Sequence, residues 1–254
     1  MKINKYKILV LSDLNKSTSK AIKSSISLAK IVGADINFFY VKKPTEVVDK
    51  ESQLSAMRTI NKEYFSIDKK IKSIISPMSE KYNATINHTF SIGNLKNEIE
   101  KHIDEKKPDI IVLGKRKTKT VSFIGDNITS FILKKHQGPI VIIDDKNELE
   151  PNKELSLGVF NYSNTDDDFS ENIIRAAQSP LKAFNIANSS ESLNNETFLK
   201  DTEKVEFVFS EGDNVLKNIS NYLLKSNVNL LFVNRKKNIK DVINKLDCSL
   251  ILTT

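Results

Sequence analysis

Cysteine and long apolar runs are scarce in this sequence, and each scarcity excludes a class of protein. The single cysteine, Cys248, rules out an internal disulfide framework and a metal site built from several thiolates. Its apolar neighbours predict a small buried residue. The longest apolar runs have four or five residues, far short of the roughly 20 that cross a bilayer. The N-terminus leads directly into a strand pattern without the apolar core of a signal peptide, so we expect a cytoplasmic protein without a membrane segment.

Recognisable catalytic and metal-binding motifs are also missing. The sequence has no G-x-S-x-G elbow, no Walker A loop and no H-E-x-x-H motif. Its three histidines, His88, His102 and His136, lie on different predicted elements, and none has a Cys, Asp or Glu at metal-ligand spacing. The acidic run 166–168 lacks the glycine and the spaced oxygen ligands of a calcium loop. The residues therefore identify no catalytic group, and we expect no metal.

Charge is divided unevenly along the chain, whose net charge is +7. Residues 1–150 hold 27 Lys and Arg against 18 Asp and Glu, a net +9, whereas residues 151–254 hold 12 against 14, a net −2. A basic excess favours anionic partners such as phosphates, nucleic acid or anionic lipid without choosing among them. Because no Lys/Arg tract is interleaved with aromatic residues and no helix-turn-helix or zinc-finger pattern is present, we do not expect nucleic-acid binding.

The stretch from Pro108 to Asp144 predicts a strand, a basic loop, a helix and a second strand in succession. The apolar run Ile110–Leu113 is typical of a strand covered on both faces, and Gly114 ends it. Asp126 or Asn127 can cap the following helix by accepting hydrogen bonds from its free N–H groups. Because ligands bind at the carboxyl ends of strands in open α/β sheets, any small-molecule site should lie in this loop.

Strands and helices alternate through residues 1–145, which predicts a right-handed, parallel, doubly wound sheet of five strands. Between the second and third strands, a segment from about Lys50 to Lys81 has an apolar residue at every third or fourth position. These residues are Leu54, Met57, Ile60, Tyr64, Ile67, Ile71, Ile74 and Met78. The pattern predicts a long helix packed on its own sheet or, as the alternative, a coiled-coil or partner-binding helix. We favour the first because the charge pairing expected of a coiled coil is not consistent.

The chain repeats itself after a charged segment. Residues 146–154 contain Pro151 and predict a linker. Beyond it, Leu230–Lys237 echoes Ile110–Lys117 at an offset of 120 residues, a period that indicates duplicated domains. We therefore predict one domain at 1–145 and a shorter, degenerate domain at 155–254. The second domain has too few residues for a full counterpart of the long amphipathic helix.

Four segments, in their order and spacing, resemble the universal stress protein family in its tandem form with two domains on one chain. They are KILVLSD at Lys7–Asp13, FFYV at Phe38–Val41, PDIIVLGKR at Pro108–Arg116 and GPIVII at Gly138–Ile143. The resemblance covers the first domain well and the second weakly. It implies an α/β fold of two Rossmann-like, adenine nucleotide alpha hydrolase-like domains, each with a five-stranded, parallel, doubly wound sheet. It also implies that the last strands, Ile140–Ile143 and Leu250–Thr254, meet across a pseudo-twofold axis.

The resemblance implies a nucleotide site in the first domain as well. In members that bind ATP, an aspartate at the end of the first strand and a hydrophobic residue at the end of the second hold the adenosine, and a G-x2-G-x9-G-[S/T] loop surrounds the phosphates. Asp13 and Val41 match the nucleoside positions, and Gly114 matches the first glycine. The full candidate set is Leu11, Asp13, Val41, Gly114, Lys115, Lys117, Gly125, Asp126 and Asn127.

This loop departs from the family pattern, and the departures predict lost or altered binding. Lys117 replaces the second glycine, although only glycine lets backbone N–H groups approach phosphate closely at low cost. The final pair becomes Gly125-Asp126 or Asp126-Asn127, which sets a carboxylate or an amide where the family has a hydroxyl. A carboxylate there would repel a γ-phosphate at the helix N-terminus. Lys115 and its basic neighbours offset this in part by supplying positive charge.

The function implied by the resemblance is a non-catalytic stress-response or signalling role. The protein would act through a protein partner, and its first domain would sense an anionic ligand, with ATP or another adenine nucleotide as the candidate. The alternative is an ATP-binding protein with weak ATPase activity that uses the loop after Gly114. The second domain has Asn161 and Asn234 at the positions of Asp13 and Gly114, so we expect no nucleotide there. The two domains form an intrachain pseudo-dimer, and a further homodimer stays open.

Overall fold

The computed structural model describes residues 6–43, 53–115, 125–160, 168–177, 180–187, 203–235 and 238–253. Within these ranges the side chains of residues 53–60 and 125–127 are left out of the description.

The first half of the chain builds a parallel sheet covered by helices. In chain order its elements are β1 (Tyr6–Ser12), α1 (Thr18–Val32), β2 (Ala34–Lys42), α2 (Gln53–Tyr82), β3 (Ile86–Ile92), α3 (Leu95–Lys106), β4 (Ile110–Gly114), α4 (Gly125–Lys135) and β5 (Ile140–Ile143). The strands pair in the order β3-β2-β1-β4-β5. The order in which the strands are added to the sheet reverses direction between β1 and β4. Such a reversal leaves a crevice at the carboxyl ends of these two strands.

The second half repeats this arrangement with fewer residues. Its elements are β6 (Leu157–Phe160), α5 (Asp168–Ala176), β7 (Leu181–Ile186), β8 (Lys204–Phe209), α6 (Val215–Lys225), β9 (Leu230–Asn234), α7 (Ile239–Lys245) and β10 (Ser249–Thr253). The strand order β8-β7-β6-β9-β10 matches that of the first half. Between β7 and β8, the described residues contain no helix corresponding to α2.

The two halves join through their last strands, as the family resemblance implied. β5 and β10 pair antiparallel, with Ile142 opposite Leu250 and Ile140 opposite Leu252. The pairing converts two five-stranded parallel sheets into one sheet of ten strands, and it removes both strands from exposed sheet edges. We call the paired strands β5 and β10 the seam.

The hydrophobic core has two layers because successive residues of a strand point to opposite faces of the sheet. In β1, Ile8 and Val10 belong to the layer that includes residues of α1 and α2. Leu9 and Leu11 belong to the layer on the opposite face, together with residues of α3 and α4. All four are buried, which explains why the central strands read as unbroken apolar runs. Cys248 is fully buried, as predicted, and burial raises the pKa of its thiol.

Two helices of the first half show how the sequence sets their limits and their packing. α1 ends at Gly33, whose φ of 70° is left-handed and whose N–H donates to the Ala29 carbonyl. α2 places Ile67, Ile71 and Ile75, all buried, in the core of its own half. The helix therefore covers its own sheet, which was the favoured of the two predictions. No helix in the described part of the chain is long and apolar enough to cross a membrane.

α4 corrects one prediction at the start of that helix. The sequence suggested Asp126 or Asn127 as the cap that precedes the first turn, but the helix begins at Gly125. Both residues therefore lie within the first helical turn. A carboxylate in the first turn still interacts favourably with the positive end of the helix dipole.

Candidate functional site

The crevice between β1 and β4 brings several candidate residues together. β1 pairs with β4 on one side and with β2 on the other, so the three strands end at the same edge of the sheet. Gly114 at the end of β4 lies against Ser17, the residue that precedes α1. A Cβ atom at position 114 would lie only 2.8 Å from the Ser17 Oγ. The sequence predicted a role for Gly114, and this contact gives the physical reason that no side chain stands there.

The loop from β1 to α1 presents polar groups to this crevice. The exposed Asp13 carboxylate accepts hydrogen bonds from the Asn15 backbone N–H at 3.3 Å and from the Asn15 side-chain amide at 2.9 Å. The Asn15 carbonyl oxygen Oδ1 in turn accepts from the Ser17 hydroxyl at 2.6 Å. Leu14 adopts a left-handed φ of 57° between them. The Asp13 carboxylate is therefore held by a short local network while it stays open to solvent.

The two apolar candidates lie near the carboxyl ends of β1 and β2. Leu11 and Val41 are 7% and 8% exposed, and both belong to the core layer on the α3 and α4 side. Their side chains form part of the apolar floor at the ends of β1 and β2. They can offer an apolar surface to a ligand, but only through a small exposed fraction of each side chain.

Lys115 corrects the sequence prediction. It was expected to supply positive charge to a phosphate at the Gly114 loop, but the structure buries its side chain to 7% exposure between the two halves. Its ammonium donates to the Leu246 carbonyl in the second half and lies 3.6 Å from the Asp144 carboxylate. A cation committed to these partners is not directed at the crevice.

The remaining candidates are only partly placed. Lys117 lies outside the described residues, as does Asn161 of the second half. Gly125, Asp126 and Asn127 are described only as backbone in the first turn of α4.

Three polar residues of the crevice were not in the predicted set. They are Ser12, the last residue of β1, and Asn15 and Ser17, which follow Asp13 in the loop after it. The Ser12 hydroxyl also pairs with the Thr18 hydroxyl at 2.7 Å, at the start of α1. The sequence signal for these residues is a run of polar residues directly after an apolar strand. In chemical terms the described crevice offers hydroxyls, an amide and one carboxylate, which suit hydroxyl and amino groups of a ligand.

Comparison with known proteins agrees with this architecture. The sequence profile of the universal stress protein family matches residues 6–144. The fold is similar to that of a universal stress protein from Archaeoglobus fulgidus DSM 4304, with a TM-score of 0.68 and 12% identity over 98% of this chain and 96% of that one. It is also similar to a functionally unknown protein from Pseudomonas aeruginosa PAO1, with a TM-score of 0.58 and 10% identity over 98% of this chain and 92% of that one.

At such low identities these structures show the shared fold alone. No curated protein matches the sequence. The family assignment rests on the profile, which spans more than half of the chain, and on a sheet order that each half repeats. This protein therefore belongs to the universal stress protein family.

Proposed function

We propose that this universal stress protein has a non-catalytic stress-response or signalling role in the cytoplasm. Its first domain, residues 1–145, senses an adenine nucleotide or another anionic ligand, and the protein then acts through contact with a protein partner. The second domain, residues 155–254, takes part in the intrachain pair and binds no nucleotide. The observation that carries the proposal is the meeting of Asp13, Ser17 and Gly114 at the carboxyl ends of β1 and β4.

The described polar groups of the crevice support recognition of a nucleoside. The Asp13 carboxylate can accept hydrogen bonds from ribose hydroxyls, and it is exposed to a ligand while Asn15 holds it in place. Leu11 and Val41 contribute apolar surface beside it. Because Gly114 has no side chain, a ligand can approach the backbone after β4 closely.

The placement of Lys115 supports a binding role over a hydrolytic one. Phosphoryl transfer relies on positive charge fixed at the β- and γ-phosphates. The cation nearest to Gly114 in sequence is instead engaged by Leu246 and Asp144 on the second-half side of β4. The Lys115 ammonium is therefore not directed at a ligand in the crevice, although the sequence predicted that it would supply positive charge there.

Thermal unfolding with ATP, AMP, cAMP and cyclic di-AMP tests the sensing function. A ligand present at 100 times its dissociation constant should raise the free energy of unfolding by roughly 2.7 kcal/mol. Asp13→Ala should abolish the shift. Asp35→Ala, which removes an exposed carboxylate near the opposite end of the same sheet, should retain it.

The outcomes separate the candidate functions. The absence of a shift with every nucleotide would overturn nucleotide sensing, and an unchanged shift in Asp13→Ala would place the site elsewhere. Phosphate release from ATP, followed in the same samples, tests the alternative. If the chain is a weak ATPase, release should exceed background in the wild type and fall to background in Asp13→Ala.

A further inference from the structure

Two basic residues occupy equivalent positions in the two halves. Lys115 follows β4 and Arg235 follows β9, and the internal repeat aligns them at its offset of 120 residues. Their backbone N–H groups make matching bonds to the neighbouring last strand. Lys115 N donates to the Ile143 carbonyl at 2.7 Å, and Arg235 N donates to the Thr253 carbonyl at 2.8 Å.

Both side chains cross to the opposite half. The Lys115 ammonium donates to the carbonyl of Leu246, the residue just after α7. Arg235 donates through Nη1 to the carbonyl of His136, just after α4, at 2.7 Å, and through Nη2 to the Gly138 carbonyl. Leu246 and His136 are equivalent too, because each donates its N–H to the residue four positions earlier in its helix.

These acceptors suit a cation. The last carbonyls of a helix have no donor within the helix and carry its partial negative charge. A hydrogen bond from a charged donor is stronger than one between neutral groups, and more so where water is excluded. Burial lowers the pKa of Arg235 to about 10, which leaves the guanidinium charged at neutral pH.

We infer that Lys115 and Arg235 are reciprocal docking residues, each of which binds the end of the last helix of the opposite half and so holds the seam closed. The contact is symmetric in its geometry but not in its chemistry. The first half contributes a lysine beside a carboxylate, and the second half contributes an arginine.

The neighbouring residues fit the pairing of unlike halves. The Asp144 side chain is fully buried at the end of β5, 3.6 Å from the Lys115 ammonium, and the Asp144 N–H donates to the Ser249 hydroxyl at 3.0 Å. If β5 paired with β5 of a second copy, Pro139 would replace Ser249 and supply no hydroxyl. If β10 paired with β10, Thr254 would replace Asp144 and supply no carboxylate. The partner that this surface fits is therefore the other half of the chain.

Hydrogen exchange of the full-length protein tests the inference, with Lys115→Met and Arg235→Met as the variants. The control is Lys182→Met. Lys182 also donates to a carbonyl at a helix end, that of Ser226 at 2.8 Å, and to the Ser156 hydroxyl at 2.8 Å. All three of these residues lie in the second half, so the control removes the same kind of contact without touching the seam.

Each docking variant should speed amide exchange in β5 and β10 roughly tenfold or more, because a hydrogen bond from a charged donor across the seam is lost. Exchange in β1 and β2 should stay near the wild-type rate, and Lys182→Met should leave β5 unchanged. Wild-type exchange of the seam in both variants would overturn the inference, as would an equal effect of Lys182→Met.

Lys115→Met also leaves the Asp144 carboxylate beside an apolar group, so a second comparison separates these effects. If Lys115 acts only by neutralising Asp144, Lys115→Met/Asp144→Asn should restore wild-type exchange, and this result would overturn its docking role. If it acts by binding the Leu246 carbonyl, exchange should stay fast in the double variant. Should either Lys115 variant fail to fold, Arg235→Met still decides the matter, because Arg235 is only partly buried and has no carboxylate among its described hydrogen-bond partners.

Discussion

At position 114 a side chain would collide with the residue that precedes α1. Alanine would put its Cβ 2.8 Å from the Ser17 Oγ, and that hydroxyl is held by the Asn15 side chain at 2.6 Å. We expect Gly114→Ala to lower the free energy of unfolding by about 1–2 kcal/mol, as overpacking does. Gly114→Ala/Ser17→Ala should recover most of the loss, because the nearest remaining Ser17 atom, its Cβ, lies 3.4 Å away.

Urea unfolding of the two single variants and the double variant measures this coupling. Ser17→Ala alone serves as the control for the lost hydroxyl. If the effects of the two substitutions on the free energy of unfolding are additive, the Ser17 hydroxyl does not limit the room for a side chain at position 114.

A buried histidine should make stability depend on pH. The His102 ring stacks on Phe39 with centroids 3.9 Å apart, and its Nε2 has no hydrogen-bond partner in the described structure. Burial, with a smaller effect of the Lys106 charge, lowers the pKa of His102 below its ordinary 6.5. As the pH falls below about 6.5, the unfolded chain takes up this proton before the folded chain does, so stability decreases.

His102→Leu should reduce this loss when the free energy of unfolding is compared at pH 7.5 and pH 5.5, two values that lie on either side of the ordinary histidine pKa of about 6.5. Burial also lowers the pKa of His136, so part of the dependence should remain. The carboxylates whose pKa is lowered, Asp68 and Glu150, lose their contribution only at still lower pH. An unchanged pH dependence in His102→Leu would assign the effect to other groups.

At the residue scale, the sequence could identify which residues lie near the site better than it could predict where their side chains point. Gly114 was found because it ends an apolar run, and Asp13 because it follows one. The direction of the Lys115 side chain depends on Leu246, 131 positions away, and no local pattern reports a contact at that separation. Ser17 was not in the predicted set because its contact with Gly114 arises from the packing of β4 beside β1.

At the scale of elements, α2 tests whether a long amphipathic helix covers its own sheet. Ile71 is fully buried in the core, whereas Phe65 on the opposite side of the helix is 79% exposed. We expect Ile71→Ala to lower the free energy of unfolding by about 2–5 kcal/mol, because it leaves a cavity. Phe65→Ala should change it by less than about 0.5 kcal/mol.

Thermal or urea unfolding of the two variants makes the comparison within one helix and with one kind of substitution. The opposite ranking, with the larger loss at Phe65, would contradict the packing of the Ile71 face of α2 in the core. Of the remaining predicted stripe, Tyr64 is 44% exposed, and the side chains of Leu54, Met57 and Ile60 lie outside the described residues.

The central strands of the first half, β1, β4 and β5, were predictable because each contains an apolar run between polar residues. The sequence predicts strands at residues 6–12 and at Ile140–Ile143, and β1 and β5 have these bounds in the structure. The apolar pattern predicts the first strand of the second half at Leu155–Phe160, but β6 begins at Leu157, and Leu155 makes only an isolated bridge to Ala177. Apolar character alone cannot distinguish a bridge from a strand, because both bury the side chain.

At the scale of the whole molecule, the halves are held together by more than the seam. Tyr6 of β1 meets Phe169 of α5 edge to face, with ring centroids 6.1 Å apart. Both rings belong to a single core layer that extends across the two halves. The shared core gives a physical reason to expect the two halves to unfold together. Weakening the seam should then lower the stability of both halves.

The segment that joins the halves contributes to the same association. The sequence predicted a charged linker, but the structure packs it on α1. Leu149 is 2% exposed, and its N–H donates to the Ser24 hydroxyl at 3.0 Å. Nearby, Lys23 pairs with Glu148 at 2.5 Å. The Glu148 and Glu150 charges and the hydrogen bond to Glu148 outweigh burial and raise the pKa of Lys23.

Leu149→Ala should therefore release the linker as well as weaken the fold. We expect a loss of about 2–5 kcal/mol in the free energy of unfolding from the lost apolar contacts, and faster cleavage between residues 145 and 154 by a protease of broad specificity under native conditions. Lys153→Ala, at a side chain that is 69% exposed, should change neither. A flexible linker would be cut equally fast in all three proteins, because its cleavage would not depend on the docking of Leu149 against α1.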